Sequence, residues 1–317
     1  MLKYTGKRLL WMIFVLIGTA ILIFSIMYLA PGDTADKMLG SDATQEQKYE
    51  FREKFGLNDP YIVQLGNYLY KVFVKLDFGD SWVYGTPIMK ELASRIPRTL
   101  LLGIACVLVN SLLGIPLGLM AALHQNKWQD SLCMVIALVM VSIPGFWLAL
   151  NLILVFSVKL KLLPAFGIGG IQYYILPIIS AAMAGTAVNA RQMRSSMLEV
   201  IRADYVVTAR AKGVSEKNVV MKHMLPNALI PVITGLGVGL SKSIAGSIVI
   251  ETIFTIPGVG MYLMSSINMK DYPAVQGSVI IISFFAAMVM LLVDIVYSMI
   301  DPRIKAQYSG QSARRAK

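Results

Sequence analysis

Six long apolar runs dominate the chain, at 9–30, 99–123, 131–158, 173–190, 228–250 and 278–300. Each reaches the roughly 17 to 25 residues needed to cross bilayer hydrocarbon. The first run, LLWMIFVLIGTAILIFSIMYLA, holds no charge across its 22 positions, whereas a soluble core breaks such runs after roughly 8 to 20 residues. The pattern predicts an all-α membrane protein with six transmembrane helices. Pro116, Pro144, Pro177 and Pro231 interrupt four of the runs, which a bundle tolerates because neighbouring helices and waters satisfy the freed carbonyls. Gly114-x-x-x-Gly118 and the series Gly235, Gly237, Gly239 and Gly246 predict close helix approach. A basic start (Lys3, Lys7, Arg8) resembles a signal peptide. The run that follows is too long for a signal core and ends in Leu29-Ala-Pro-Gly-Asp33 rather than a small-x-small site, so a retained anchor is expected.

Between the first two runs, residues 31–98 read as a small helical segment outside the membrane. Thr44-x-x-Gln47 has the form of a capping box, Phe51 and Phe55 stand one turn apart, and Gly56-Leu57 fits a helix stop. Asp59-Pro60 opens a second helix whose Ile62, Leu65, Leu69, Val72, Phe73 and Leu76 share a face. Thr86-Pro87 begins a third, expected to close at Pro97. Sidedness follows from the basic residues of the short segments. Segments 1–8, 124–130, 191–227 and 301–317 hold sixteen Lys and Arg, against Lys159, Lys161 and Lys270 on the other side. The positive-inside rule therefore predicts cytoplasmic termini, a cytoplasmic loop at 191–227, an outer loop at 251–277 and a tail at 301–317.

Composition agrees with a chain dissolved in lipid: 56% of residues are hydrophobic and 15% charged, where soluble domains carry about 25% charged. The net charge of +11 then reports topology rather than nucleic-acid binding. Cys106 and Cys133 lie within apolar runs and read as packing, and His124 and His223 have no second ligand at metal spacing. No metal site follows from these residues.

The longest polar stretch of the basic side, 191–227, reads as helix, sharp turn, helix. Asp204 opens the first helix and Gly213 allows the bend. Ser215 is placed to cap the second helix, with Glu216 in its first turn and Val214 and Val219 at staple positions. Pro226 is expected to break the helix before the next span. Ala209, Gly213, Leu225 and Pro226 match the EAA signature of ATP-binding-cassette importer permeases, with the signature's glycine-to-Leu-Pro spacing. The chain departs from it at Val207 and Thr208, as the peptide branch of that family commonly does.

Further motifs, in order along the chain, resemble the dipeptide, oligopeptide and nickel permeases: Leu29 to Asp33, Asp77-Phe-Gly-Asp-Ser81, Asn227 to Pro231, Val249-Ile-Glu-Thr-Ile-Phe254, Pro257-Gly-Val-Gly260, Asp271-Tyr-Pro273 and Asp301-Pro-Arg303. The resemblance implies a type I importer fold and a subunit that pairs with a second homologous permease. It also implies docking on two cytosolic ATPases and receipt of substrate from an extracytoplasmic peptide-binding protein. The coupling residues it implies are Asp204, Ala209, Gly213, Ser215, Val219, Leu225 and Pro226. ATP and Mg would then belong to the ATPases, with no cofactor on this chain.

The nearest phosphate-loop lookalike, Leu236 to Ser243, replaces both required glycines, with Leu236 and Ser241. Three charges fall within or at the ends of spans: Lys242, Glu251 and Asp294. A charge at mid-membrane costs about 2.5 to 3.5 kcal/mol on insertion scales, so each is expected to face the bundle, water or an interface. Glu251 and Asp294 suit structural roles. Lys242 lies roughly 12 Å below the outer end of its run, suited to the pathway or to an acid on the partner permease. A secondary transporter would need a mid-membrane ion-coupling site or an inverted repeat, and a membrane enzyme a catalytic constellation; neither stands out. Short peptides are expected as substrate ahead of nickel, because the 19 Met are dispersed and no His, Cys or Met cluster stands at ligand spacing.

Overall fold

A computed structural model describes residues 2–300, apart from Pro31, Asp33 and Ser41. The expected tail 301–317, with its Asp301-Pro-Arg303, lies outside the described residues. Helix α1 (Leu2–Leu29) is followed by three short helices, α2 (Thr34–Leu39), α3 (Gln45–Lys54) and α4 (Tyr61–Phe73). The bundle continues with α5 (Ile88–Leu123), α6 (Trp128–Ser142), α7 (Gly145–Leu152) with a π-helical extension at Ile153–Lys159, and α8 (Gln172–Ile201). Then come α9 (Asp204–Ala211), α10 (Glu216–Asn218), a π-helical turn at Val219–Met224, α11 (Leu225–Ile253), α12 (Val259–Met269) and α13 (Tyr272–Ile300). Among the described residues the only bridge pairing is Asp80 with Pro87.

Five helical stretches are long and apolar enough to cross a membrane alone: Thr5–Leu29, Ile88–Leu123, Gln172–Ile201, Glu216–Ile253 and Tyr272–Ile295. The stretch expected as a third span is instead two pieces, Trp128–Ser142 and Gly145–Lys159, inclined at 92°. Pro144 causes the break: it offers no N–H, and it pushes Ile143 into the extended region (φ −85°, ψ 120°).

Two other prolines behave differently. Pro97 does not close the helix begun after Pro87, because α5 runs through both Pro97 and Pro116. Buried Ile88, Leu92 and Leu102 pack on either side of Pro97 and hold the helix through it. Pro226 likewise does not break the chain before the last third. It follows directly on the π-helical turn Val219–Met224, a local departure from the α-helical ladder, and one continuous helical stretch runs from Glu216 to Ile253. Helix α8 also extends past 190 to Ile201, carrying Arg191 and Arg194 on helix rather than loop, as befits good helix formers.

The core is α5 laid against α8, with α11 packed on both, α13 on α11, and α1 on α13. Gly114 and Gly118 allow the first contact: an added Cβ would stand 2.8 Å from the Thr186 carbonyl oxygen and 2.3 Å from that of Ala190. Gly237 serves the same end against Val293, whereas Gly235, Gly239 and Gly246 face open space.

The short helices form a cap at one end of the bundle. The Thr44–Gln47 capping box forms, and α3 ends with Gly56 at φ +67°, where Leu57 N–H reaches the Arg52 carbonyl at 2.8 Å. Of the expected α4 face, Val72 is buried, but Ile62 and Leu76 are exposed, and Leu76 (φ 53°) has already left the helix. The Ser81 hydroxyl donates to Asp271, whose other oxygen accepts from Trp82 N–H at 3.1 Å. Trp82 packs among Phe51, Phe55 and Tyr272, so Asp77 to Ser81 and Asp271 to Pro273, 190 residues apart, hold one joint between cap and bundle.

Candidate coupling elbow and intramembrane cleft

The elbow is built on local rules. Helix α9 starts at Asp204, whose charge suits a helix N-terminus. It ends at Gly213, at φ +75°, with Gly213 N–H donating to the Arg210 carbonyl at 2.9 Å and Val214 N–H to the Ala209 carbonyl at 3.3 Å. That paired closure needs a left-handed residue, which glycine supplies without Cβ strain. Ser215 occupies the cap position of α10, but its side chain makes no capping bond; its carbonyl instead accepts from Val219 N–H at 3.0 Å. Arg210 replaces the missing cap as a clamp, its guanidinium reaching both Glu216 oxygens at 3.1 and 2.5 Å. The hydrogen bonds from Arg210 hold the Glu216 carboxyl below the ordinary carboxylate range.

Below this turn Val206, Ala209, Val219, Val220 and Met224 are buried against Met193 and Met197 of α8, Ala122 of α5 and Ala228 of α11. Val214 and Leu225 pack at its edge, while Pro226 is exposed. The elbow is therefore seated on three helices of the bundle rather than projecting freely. Tyr205, Val207 and Met221 of the elbow are exposed. The sequence-predicted residues thus divide: Ala209 and Val219 form the floor, Gly213 the bend, and Asp204 and Ser215 the two helix starts.

Beneath the elbow, Arg194 makes a two-pronged ion pair with Asp130 at 2.6 and 2.7 Å, and Asp130 also accepts from Asn126 N–H. This ties α8 to the first turn of α6. Sequence reading counted Arg194 only as a topological charge and passed over Asp130. An acid in a short basic-side segment was the available signal, but its partner lies 64 residues away.

The intramembrane charges separate. Glu251 is fully buried and accepts from the Thr99 hydroxyl (2.7 Å), the Ser247 hydroxyl (2.8 Å) and Met261 N–H (3.0 Å), joining α5, α11 and α12. Gly258 and Gly260 permit it, since a Cβ on either would come within 2.4 and 2.9 Å of the carboxylate. Asp294 pairs with Arg8 at 2.8 Å, binding α13 to α1. Lys242 lines a cleft of about 680 Å³ between α5, α8 and α11, with Asn110, Ser180, Asn189 and Ser243 also in its wall. No ion pair within the described chain engages it. It stands eleven residues, or about 16 Å, from the Ile253 end of α11, deeper than the sequence suggested.

The segment Leu236 to Ser243 is wholly inside α11 and offers no loop to wrap a phosphate. Among the described residues no three His, Cys, Asp or Glu side chains gather as a metal site.

Comparison with known proteins places this architecture. Residues 114–306 match the family described as binding-protein-dependent transport system inner membrane component, and residues 1–103 its N-terminal counterpart. The chain belongs to this family. It is accordingly a multi-pass inner-membrane permease subunit of an ABC transporter, non-catalytic and without a cofactor of its own, with ATP hydrolysis on a separate subunit. It is 40% identical to the dipeptide transport system permease protein DppB of Alkalihalophilus pseudofirmus, over 96% of this chain and all of that one. It is 41% identical to the glutathione transport system permease protein GsiC of Salmonella typhimurium, over 96% and 99%. Among solved structures, the inward-facing MetNI methionine ABC transporter matches with a TM-score of 0.56 at 16% identity, covering 67% of this chain and 97% of that one. An amino acid ABC transporter with histidines matches at 0.51 and 17%, covering 68% and 94%. These two show the shared helical fold.

Proposed function

We propose that this subunit carries short peptides inward through the membrane by alternating access, with the elbow 204–226 as the seat of the ATPases. The observation that carries the reading is the elbow itself: a bend set by Gly213, a buried floor, and the apolar side chains of Tyr205, Val207 and Met221 left exposed among charged neighbours. Exposed apolar groups rimmed by charge suit a groove on a partner protein. The names of the relatives, for dipeptide and for glutathione, support a peptide-class substrate. The imbalance of basic residues supports cytoplasmic termini and a cytoplasmic elbow, and hence an extracytoplasmic cap facing a peptide-binding protein. A second homologous permease would complete the wall of the Lys242 cleft, and two ATPases would bind the paired elbows.

The test is purification of the tagged subunit with its neighbours, followed by reconstitution into vesicles with the binding protein. Co-purification of a second permease and two ATPases, and ATP-dependent uptake of a labelled dipeptide, are expected. Nickel uptake indifferent to competing peptides would reverse the substrate assignment, and uptake by this chain alone without ATP would overturn the mechanism.

A further inference from the structure

We infer that Lys242 is the point in the pathway that engages the negative charge of the passing substrate, making this subunit favour acidic peptides, those with a carboxylate beyond the C-terminal one. The inference rests on the peptide-import reading above and deepens it. Lys242 sits far from both ends of α11, where its head cannot easily reach either membrane surface, so it requires water or an opposite charge. The described chain supplies no acid to it: Glu251 is enclosed by its own donors and Asp294 is paired with Arg8.

The cleft around it is walled mainly by apolar side chains, with a few polar groups among them. Polar groups enter its wall from three helices, through Asn110 on α5, Ser180 and Asn189 on α8, and Ser243 beside the lysine. Gly235, Gly239 and Gly246, also in the wall, leave open space where side chains would stand. Among the described residues that line this cleft, Lys242 carries the only charge. A single cation in a partly dehydrated cleft attracts anions more strongly than it would in bulk water. A peptide always brings at least one carboxylate, and an acidic side chain or a γ-linked glutamate brings another. A fixed ammonium with no ion-pair partner among the described residues is complementary to that charge, and a lysine's flexible stem allows release as well as capture.

The experiment compares Ala-Asp with Ala-Lys uptake by the whole reconstituted complex, each at a concentration saturating the binding protein. Lys242→Gln should lower Ala-Asp uptake more than Ala-Lys uptake, moving their ratio by about three- to tenfold, as expected for loss of one charge pair. Lys242→Glu should move it further and Lys242→Arg should retain it. For a complex already assembled, Lys242→Cys in a background lacking Cys106 and Cys133 can be treated with aminoethyl methanethiosulfonate. Restoring an ammonium should restore the Ala-Asp preference. An equal loss for both peptides would mean that Lys242 pairs with an acid of the neighbouring permease, and an unchanged ratio that it meets no substrate; either overturns the proposal. If the wild-type complex takes up neither dipeptide, the peptide reading itself fails, and this inference falls with it.

Discussion

Glu251 is a fully buried carboxylate held by two hydroxyls and one backbone N–H, and its removal leaves those donors without an acceptor. Each unsatisfied buried donor costs about 1 to 3 kcal/mol, so Glu251→Ala should destabilise the subunit by about 2 to 4 kcal/mol once partial relaxation is allowed. Thr99→Ser keeps the hydroxyl and should stay near wild type. Thermal unfolding of the purified complex in detergent checks this, and a Glu251→Ala complex melting with the wild type would refute it. The sequence shows Glu251 at a span end within Val249 to Phe254, but not Thr99, 152 residues away. Hydropathy reports which residues share a helix face. It does not report how two helices are rotated against each other, and for that reason Asp130–Arg194 and Ser81–Asp271 were equally hidden.

Among the elements, α5 and α8 depend on closeness that one atom can disturb. Gly118→Ala places a Cβ 2.3 Å from the Ala190 carbonyl oxygen, a backbone atom that cannot step aside alone. Overpacking of this kind costs about 1 to 3 kcal/mol, so the variant should show reduced membrane levels or a lowered melting temperature. Gly18→Ala on α1 meets nothing within 4 Å and is the matched control; equal behaviour of the two would contradict the packing account. The long apolar helices were readable from hydropathy, and the Thr44 capping box and the Gly56 and Gly213 stops from local signals, but α12 within the expected outer loop 251–277 and the bend of the third run were not. The bounds at Pro97 and Pro226 differ from the expectation for separate reasons: contacts on both sides of Pro97 outweigh its local penalty, and Pro226 follows a π-helical turn within a stretch that stays helical. The Arg210–Glu216 clamp has its own pH sign. Glu216 has a lowered carboxyl pKa in the fold, so its contribution is complete above its ordinary value of about 4.3 and fades only as pH falls through the lower one. Coupling lost on acidification from pH 8 to 6 would therefore arise elsewhere than in this clamp.

For the whole molecule, the bent α6–α7 pair leaves the number of crossings dependent on whether that pair spans. Single cysteines at Lys217 and Asp59, in a background lacking Cys106 and Cys133, should label from opposite faces; labelling of both from outside intact cells would rule out the six-span arrangement. The elbow and the Lys242 cleft lie at separate places on the same helix, since Glu216 to Ile253 is continuous, and a shift at one end of a stiff helix is felt along it. A partner can move that helix only by the difference in its affinity for two states, and reversing a 1:99 population takes about 5.5 kcal/mol. The bend at Gly213 must therefore be firm. Gly213→Val has open space for its side chain, so its effect is purely the backbone strain of a β-branched residue at φ +75°, about 1 to 3 kcal/mol. The most direct measurement is ATP hydrolysis and peptide uptake by the reconstituted Gly213→Val complex, beside Gly213→Asn, which tolerates that backbone. The account predicts normal membrane levels for both, near-normal coupling in Gly213→Asn, and weakened ATPase association or uncoupled hydrolysis with little uptake in Gly213→Val. Normal substrate-stimulated hydrolysis together with normal uptake in Gly213→Val would contradict it.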